Sequence, residues 1–121
     1  MKFIHHAFRL YVDRPRLDST VAFYEQLQGI TCERRIPFAE LGIEVAVVGA
    51  FIVLGGTDEA LEPFRSATAL LVVDDLTETI EWALAKGAEL LHGPQDAPGG
   101  RNATVRNPDG LVAEYYQPTA A

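Results

Sequence analysis

Along the 121 residues the spacing of apolar side chains changes period in the same order twice, and a repeat of this kind restricts the fold more than any single motif. In the first half, residues 3–12 alternate as a strand does. Pro15 then suits an early helical position, Leu17, Val21 and Tyr24 follow at helical spacing, and Gly29 closes the helix. Strands are expected at 30–36, 41–48 and 50–55. In the second half, ATALLVV (67–73) reads as a buried strand. Asp75 with Glu78 resembles a capping box, and Leu76, Ile80, Ala83 and Leu84 form an apolar stripe that ends at Gly87. Further strands are expected at 88–91, 101–106 and 111–117. The polar, Pro-containing TDEALEPFRS (57–66) reads as a linker. The pattern is βαβββ twice, module 1 over residues 1–56 and module 2 over 67–118, which implies an α+β protein with helices on one side of largely antiparallel strands.

A chain of this length supports one domain over 1–121, because two independent cores would each be too small to bury enough apolar surface. With 48% hydrophobic and 22% charged residues it reads as a soluble globular protein. The net charge of −7 argues against nucleic acid or an anionic membrane as partner, since both select basic surfaces. VAVVGAFIVLGG is too short and too broken by glycine to span a bilayer, and no secretory signal opens the sequence. One cysteine, Cys32, forms no internal disulfide, fits a reducing cytoplasm and is expected to be structural.

Three segments carry a resemblance: RNPDGLVAEYYQP (106–118), FYEQLQG (23–29) and the opening strand FIHHAFRLYV. Together they resemble the vicinal oxygen chelate superfamily, which includes glyoxalase I, extradiol dioxygenases, and fosfomycin and bleomycin resistance proteins. The resemblance implies two βαβββ repeats forming a curved, incomplete eight-stranded barrel, with helices outside and a ligand cavity on the concave face. It also implies a homodimer.

Alternation in the first strand puts Ile4, His6, Phe8, Leu10 and Val12 on the face expected to pack under helices, leaving His5, Arg9 and Tyr11 toward the cavity. In the resembled family the first metal ligand sits on this strand, and His5 is the matching position. After the Asn107-Pro108-Asp109-Gly110 turn, LVAEYYQ places Glu114 with Val112 and Tyr116 on one face. Relatives carry a carboxylate ligand there. A buried, unpaired Glu114 would cost several kcal/mol, so it requires a metal, water or a basic partner, for which Arg9 and His5 are the candidates. The other two family ligand positions fall on Val53 and Thr68; valine cannot coordinate, and a threonine hydroxyl is a poor ligand for nickel, zinc or iron. His92, Glu40 and Glu44 are expected on the surface, and Trp82 is expected to pack on the sheet.

The expected partner is a small organic molecule, bound without a complete family metal centre and with no cofactor; a divalent metal on His5 and Glu114 is the alternative. Tyr11, Phe51, Val53, Thr68, Tyr116 and Arg101 are the expected lining, with Phe38 a further aromatic for the pocket, as in drug-binding resistance proteins. The rival is a glyoxalase- or dioxygenase-type lyase, isomerase or oxygenase. In it His5 oriented by Glu114 moves a proton, and Arg9 stabilises an enolate or carboxylate. The Gly/Pro-rich GPQDAPGGRNATVRNP (93–108) lacks GxxxxGK[ST] and is not a phosphate loop.

Overall fold

In the computed structural model, which describes residues 1–119, the chain divides into two compact units. One runs from Ala7 to Ser66; the other joins Met1–His6 to the chain from Ala67 onward.

The first unit begins within β1 (Phe3–Asp13). Pro15 sits in a single 3-10 turn, Arg14–Arg16, that leads directly into α1 (Leu17–Gln28). Gly29 ends the helix in the left-handed conformation, φ 68°, which costs glycine nothing and an L side chain about a kcal/mol or more. Strands β2 (Arg34–Phe38), β3 (Ile43–Val48) and β4 (Phe51–Gly56) follow. β2–β3 and β3–β4 are antiparallel pairs, and β4 lies parallel to β1 with Leu10 opposite Val53. The core forms where one sheet face meets α1: Leu17, Val21, Ala46, Val48 and Val53 are buried, with Leu10, Val12, Tyr24 and Cys32 against them. Burying Leu17 and Val21 contributes about 1.5–3 kcal/mol each. The helix approaches closely because Gly55 has no side chain; a Cβ there would lie 3.0 Å from Leu17 Cδ2. At the far end Gln28 fastens α1 to the β3–β4 turn. Its amide nitrogen Nε2 donates to Tyr24 O and Val48 O, both at 2.9 Å, and its Oε1 accepts from Ala50 N at 2.9 Å. The segment expected as a linker holds a helical turn of its own, α2 (Asp58–Leu61), capped by Thr57 Oγ1 accepting from Ala60 N at 3.1 Å.

The second unit contains β5 (Ala69–Val73), α3 (Leu76–Ala85), β6 (Glu89–Ala97), β7 (Gly100–Arg106) and β8 (Val112–Pro118). β5 runs parallel to β8, while β8–β7 and β7–β6 are antiparallel. Its core again lies between helix and one sheet face: Val73, Leu76, Ile80, Ala83, Ala103, Val105, Ala113 and Tyr115. Asp75 caps α3, its Oδ1 accepting from Glu78 N at 3.0 Å. The Glu78 side chain does not complete a capping box; it pairs with the Met1 ammonium. Tyr115, 5% exposed, donates its phenol hydrogen to Asn107 Oδ1 and so ties β8 to the turn before it.

Each unit therefore has the α+β, strand–helix–three-strand form expected of it. Three local expectations are corrected. β2 starts at Arg34, four residues later than expected. β6 extends to Ala97 through Gly93-Pro94, because an edge strand with register shifts tolerates residues a central strand would reject. Trp82 is 50% exposed, since the buried stripe of α3 is Leu76, Thr79, Ile80 and Ala83, to which position 82 does not belong.

Candidate functional site

The side of each sheet turned away from its helix carries the polar residues that the two cores leave over. In the second unit, alternation along β8 sends Ala113 and Tyr115 into the α3 core and puts Val112, Glu114 and Tyr116 on the open face. Directly opposed residues of an antiparallel pair share a face. Thr104 and Asn102 of β7 therefore flank Glu114 and Tyr116, and Leu70 of β5 lies beside Glu114. Glu114 is half-buried, and Asn102 Nδ2 donates to its Oε2 at 2.9 Å. A hydrogen bond to a charged acceptor contributes about 1.5–3 kcal/mol, enough to hold the carboxylate in one orientation on a face that also carries Leu70 and Val112. Tyr116 donates from its hydroxyl to Pro98 O at 2.8 Å, which fixes its ring over the β6–β7 end of that face. Thr68 is exposed just before β5, where its amide donates to Val112 O at 3.0 Å. His5 is exposed on the opening residues of β1, its ring centroid 6.2 Å from that of His6.

In the first unit the sheet face turned away from α1 carries Arg9 and Tyr11 with their β4 neighbours Ile52 and Leu54, both buried. Tyr11 donates to Phe64 O. The Arg9 guanidinium lies 5.8 Å from the Tyr11 ring centroid and that of Arg65 6.0 Å, so one ring lies against two cations, a favourable contact for an electron-rich face. Arg65 also pairs with Asp58 at 2.9 Å and Glu62 at 3.7 Å.

Three expected lining residues lie elsewhere. Val53 is fully buried and Phe51 stacks on Tyr24 of α1 at 4.1 Å between centroids; both share the Leu10 face of the sheet, the helix side. The alternation is decisive: positions 52 and 54, not 51 and 53, join Arg9 and Tyr11. Arg101 lies on the Ala103 face of β7, opposite to Asn102, and is exposed near the hairpin end. Glu44, expected on the surface, has a side chain only 17% exposed and pairs with Arg14 at 3.0 Å and Arg35 at 2.6 Å.

Asn102, Thr104 and Arg65 are the residues that sequence reasoning missed. The first two were accessible, since pairing Arg106 with Val112 across the NPDG turn brings Thr104 to Glu114 and Asn102 to Tyr116. Arg65 carries no such signal, because its position depends on how the helical turns after β4 fold back.

A family-type metal centre does not fit these residues. Val53 offers no donor and is enclosed in the α1 core, and Glu114 is engaged by a side-chain amide. Among the described residues no group of three or more His, Cys, Asp or Glu is placed to hold a metal ion.

A family model described as the Glyoxalase/Bleomycin resistance protein/Dioxygenase superfamily matches residues 4–115. Comparison with curated proteins found no match. Among solved structures, an uncharacterized protein from Methanosarcina mazei is similar at 34% identity and TM-score 0.85, over 100% of this chain and 97% of that one. A methylmalonyl-CoA epimerase from Mycobacterium tuberculosis is similar in fold at 14% identity and TM-score 0.69, over 98% of this chain and 88% of that one. A Streptomyces coelicolor methylmalonyl-CoA epimerase variant in complex with 2-nitronate-propionyl-CoA is similar at 16% identity and TM-score 0.68, over 99% of each chain. The fold implied by the sequence resemblance is thus the fold of this chain.

Proposed function

From the premise that this chain belongs to the Glyoxalase/Bleomycin resistance protein/Dioxygenase superfamily, we propose that it binds a small organic molecule on the open face around Glu114, without a family metal centre. One observation carries the reading: a half-buried carboxylate, oriented by Asn102, stands on a sheet face that also carries Leu70, Val112 and Tyr116. Apolar lining with a few fixed polar groups is what small-molecule sites use for affinity and orientation. Thr68 and Thr104 add hydroxyls to that face. The role is binding or sequestration, as in the drug-binding resistance proteins of the family, in a cytoplasmic homodimer.

The test is metal content by mass spectrometry on protein purified without chelator or affinity nickel, followed by a thermal-shift screen of small molecules with and without EDTA. The expected result is metal far below one per chain, together with a ligand whose affinity survives EDTA and falls in Glu114→Gln. Stoichiometric metal that disappears in Glu114→Ala would overturn the proposal.

A second reading gives the same carboxylate a chemical role. Glu114 held by an amide is positioned to take a proton from an acidic carbon, and structures of this fold include enzymes described as methylmalonyl-CoA epimerase. Deuterium incorporation from heavy water into a bound carbonyl compound, lost in Glu114→Gln, would favour it; no incorporation across a panel of 2-substituted thioesters would dismiss it.

A further inference from the structure

On the helix side of the first unit, α1 and the end of β1 leave a cleft of about 430 Å³, with Tyr11 also among the residues that line it. Leu10 and Val12 contribute to its floor, Phe23 and Tyr24 form an aromatic wall, and Arg16 and Thr20 supply polar groups. The volume lies within the range of small-molecule sites, roughly 300–1,000 Å³. The two rings of the wall meet edge to face with centroids 5.1 Å apart, and Phe23 is 60% exposed.

The charge pattern supplies a second, independent indication. In a chain of net charge −7, Arg14, Arg35, Arg65 and Arg106 each pair with carboxylates, whereas Arg16, Arg34 and Arg101 have no ion pair among the described residues, and of these three Arg16 is the one that lines the cleft. No ion pair or side-chain hydrogen bond engages the guanidinium of Arg16 among the described residues, although Asp18 is two positions away; Asp18 is taken by Arg35 at 2.8 Å. Ser19 Oγ donates to Arg16 O at 3.1 Å, which fixes the backbone from which that side chain projects. An aromatic corner, with the exposed Phe23 ring free to stack and a guanidinium near its edge, suits a ligand that is flat and apolar at one end and anionic at the other.

We propose that the α1–β1 cleft is a binding site for a small aryl carboxylate, its ring on Phe23 and Tyr24 and its carboxylate on Arg16. Thr20 stands beside the carboxylate position as a further donor.

The experiment titrates 15N-labelled full-length protein with 2-naphthoate and, in parallel, with uncharged 2-naphthalenemethanol, reading amide shifts. Saturable shifts confined to residues 10–12 and 16–24 are expected. Arg16→Gln, an exposed substitution, should weaken naphthoate about fivefold and leave the alcohol unchanged, a ratio suited to a solvent-exposed ion pair. Phe23→Ala should weaken both probes. Absence of saturation at millimolar probe, or equal binding of naphthoate by Arg16→Gln, would overturn the proposal. So would shifts confined to residues 102–116, which would support the Glu114 face instead. Glu114→Gln serves as the control: it leaves cleft binding intact whether or not the open-face function holds.

Discussion

Replacing Gln28 by Met tests whether one side chain sets the angle between α1 and the sheet of the first unit. Met conserves volume, so little of the change arises from a cavity. Three hydrogen bonds disappear, to Tyr24 O, Val48 O and from Ala50 N. Tyr24 O lies within α1, where the helical ladder supplies a donor, so its loss counts for little. Val48 O and Ala50 N belong to the β3–β4 turn. At about 1 kcal/mol for each net bond, with a further desolvation cost for half-buried groups left unsatisfied, the expected loss is about 2–3 kcal/mol. Urea unfolding followed by far-ultraviolet circular dichroism should show a lower midpoint at an unchanged slope, since the buried area is conserved. A loss below roughly 0.5 kcal/mol would refute the reasoning, showing that water replaces the glutamine without cost.

Gly100→Ala should destabilise the fold by about 2–3 kcal/mol, because a Cβ there would lie 2.1 Å from Gln117 O in the neighbouring strand; a soluble variant with unchanged urea midpoint would contradict the geometry. Glu44→Gln should cost about 1 kcal/mol at low ionic strength, through its pairs with Arg14 and Arg35, and visibly less in 1 M salt when melting temperatures are compared. The phenol of Tyr115 is pushed above the ordinary tyrosine range by burial and by the charge of Asp109. The folded state therefore holds that proton more tightly than the unfolded one, so the associated stability is complete below about pH 10 and declines as pH rises through the folded value. Tyr115→Phe should lose about 1 kcal/mol at neutral pH and show a shallower alkaline decline; parallel urea midpoints from pH 8 to 11 in the two proteins decide it.

The repeat was readable because a change of apolar period from 2 to 3.6 is local and survives in composition. Gly29 and Asp75 marked helix ends for reasons internal to the backbone, and both occupy those positions. Which side of a strand faces the site was harder. The sequence placed Glu114 and Tyr116 together and separated Arg9 and Tyr11 from Leu10 and Val12, because each strand carries its own alternation. Phe51 and Val53 went astray because their face depends on the pairing with β1, and a shift of one residue exchanges all faces. Asn102 lay within reach of a counting argument from the NPDG turn. The exposure of Trp82 and the position of Arg65 depend on tertiary packing that neither period nor turn chemistry encodes.

The separation of faces has an evolutionary consequence. In the second unit, Ala103, Val105, Ala113 and Tyr115 answer to α3, whereas Asn102, Thr104, Glu114 and Tyr116 answer to whatever occupies the other side. Each strand is thus written in two interleaved alphabets, one constrained by the helix it packs against and one by what the other side meets. A lineage can rewrite its ligand one alternate letter at a time while every intermediate still folds.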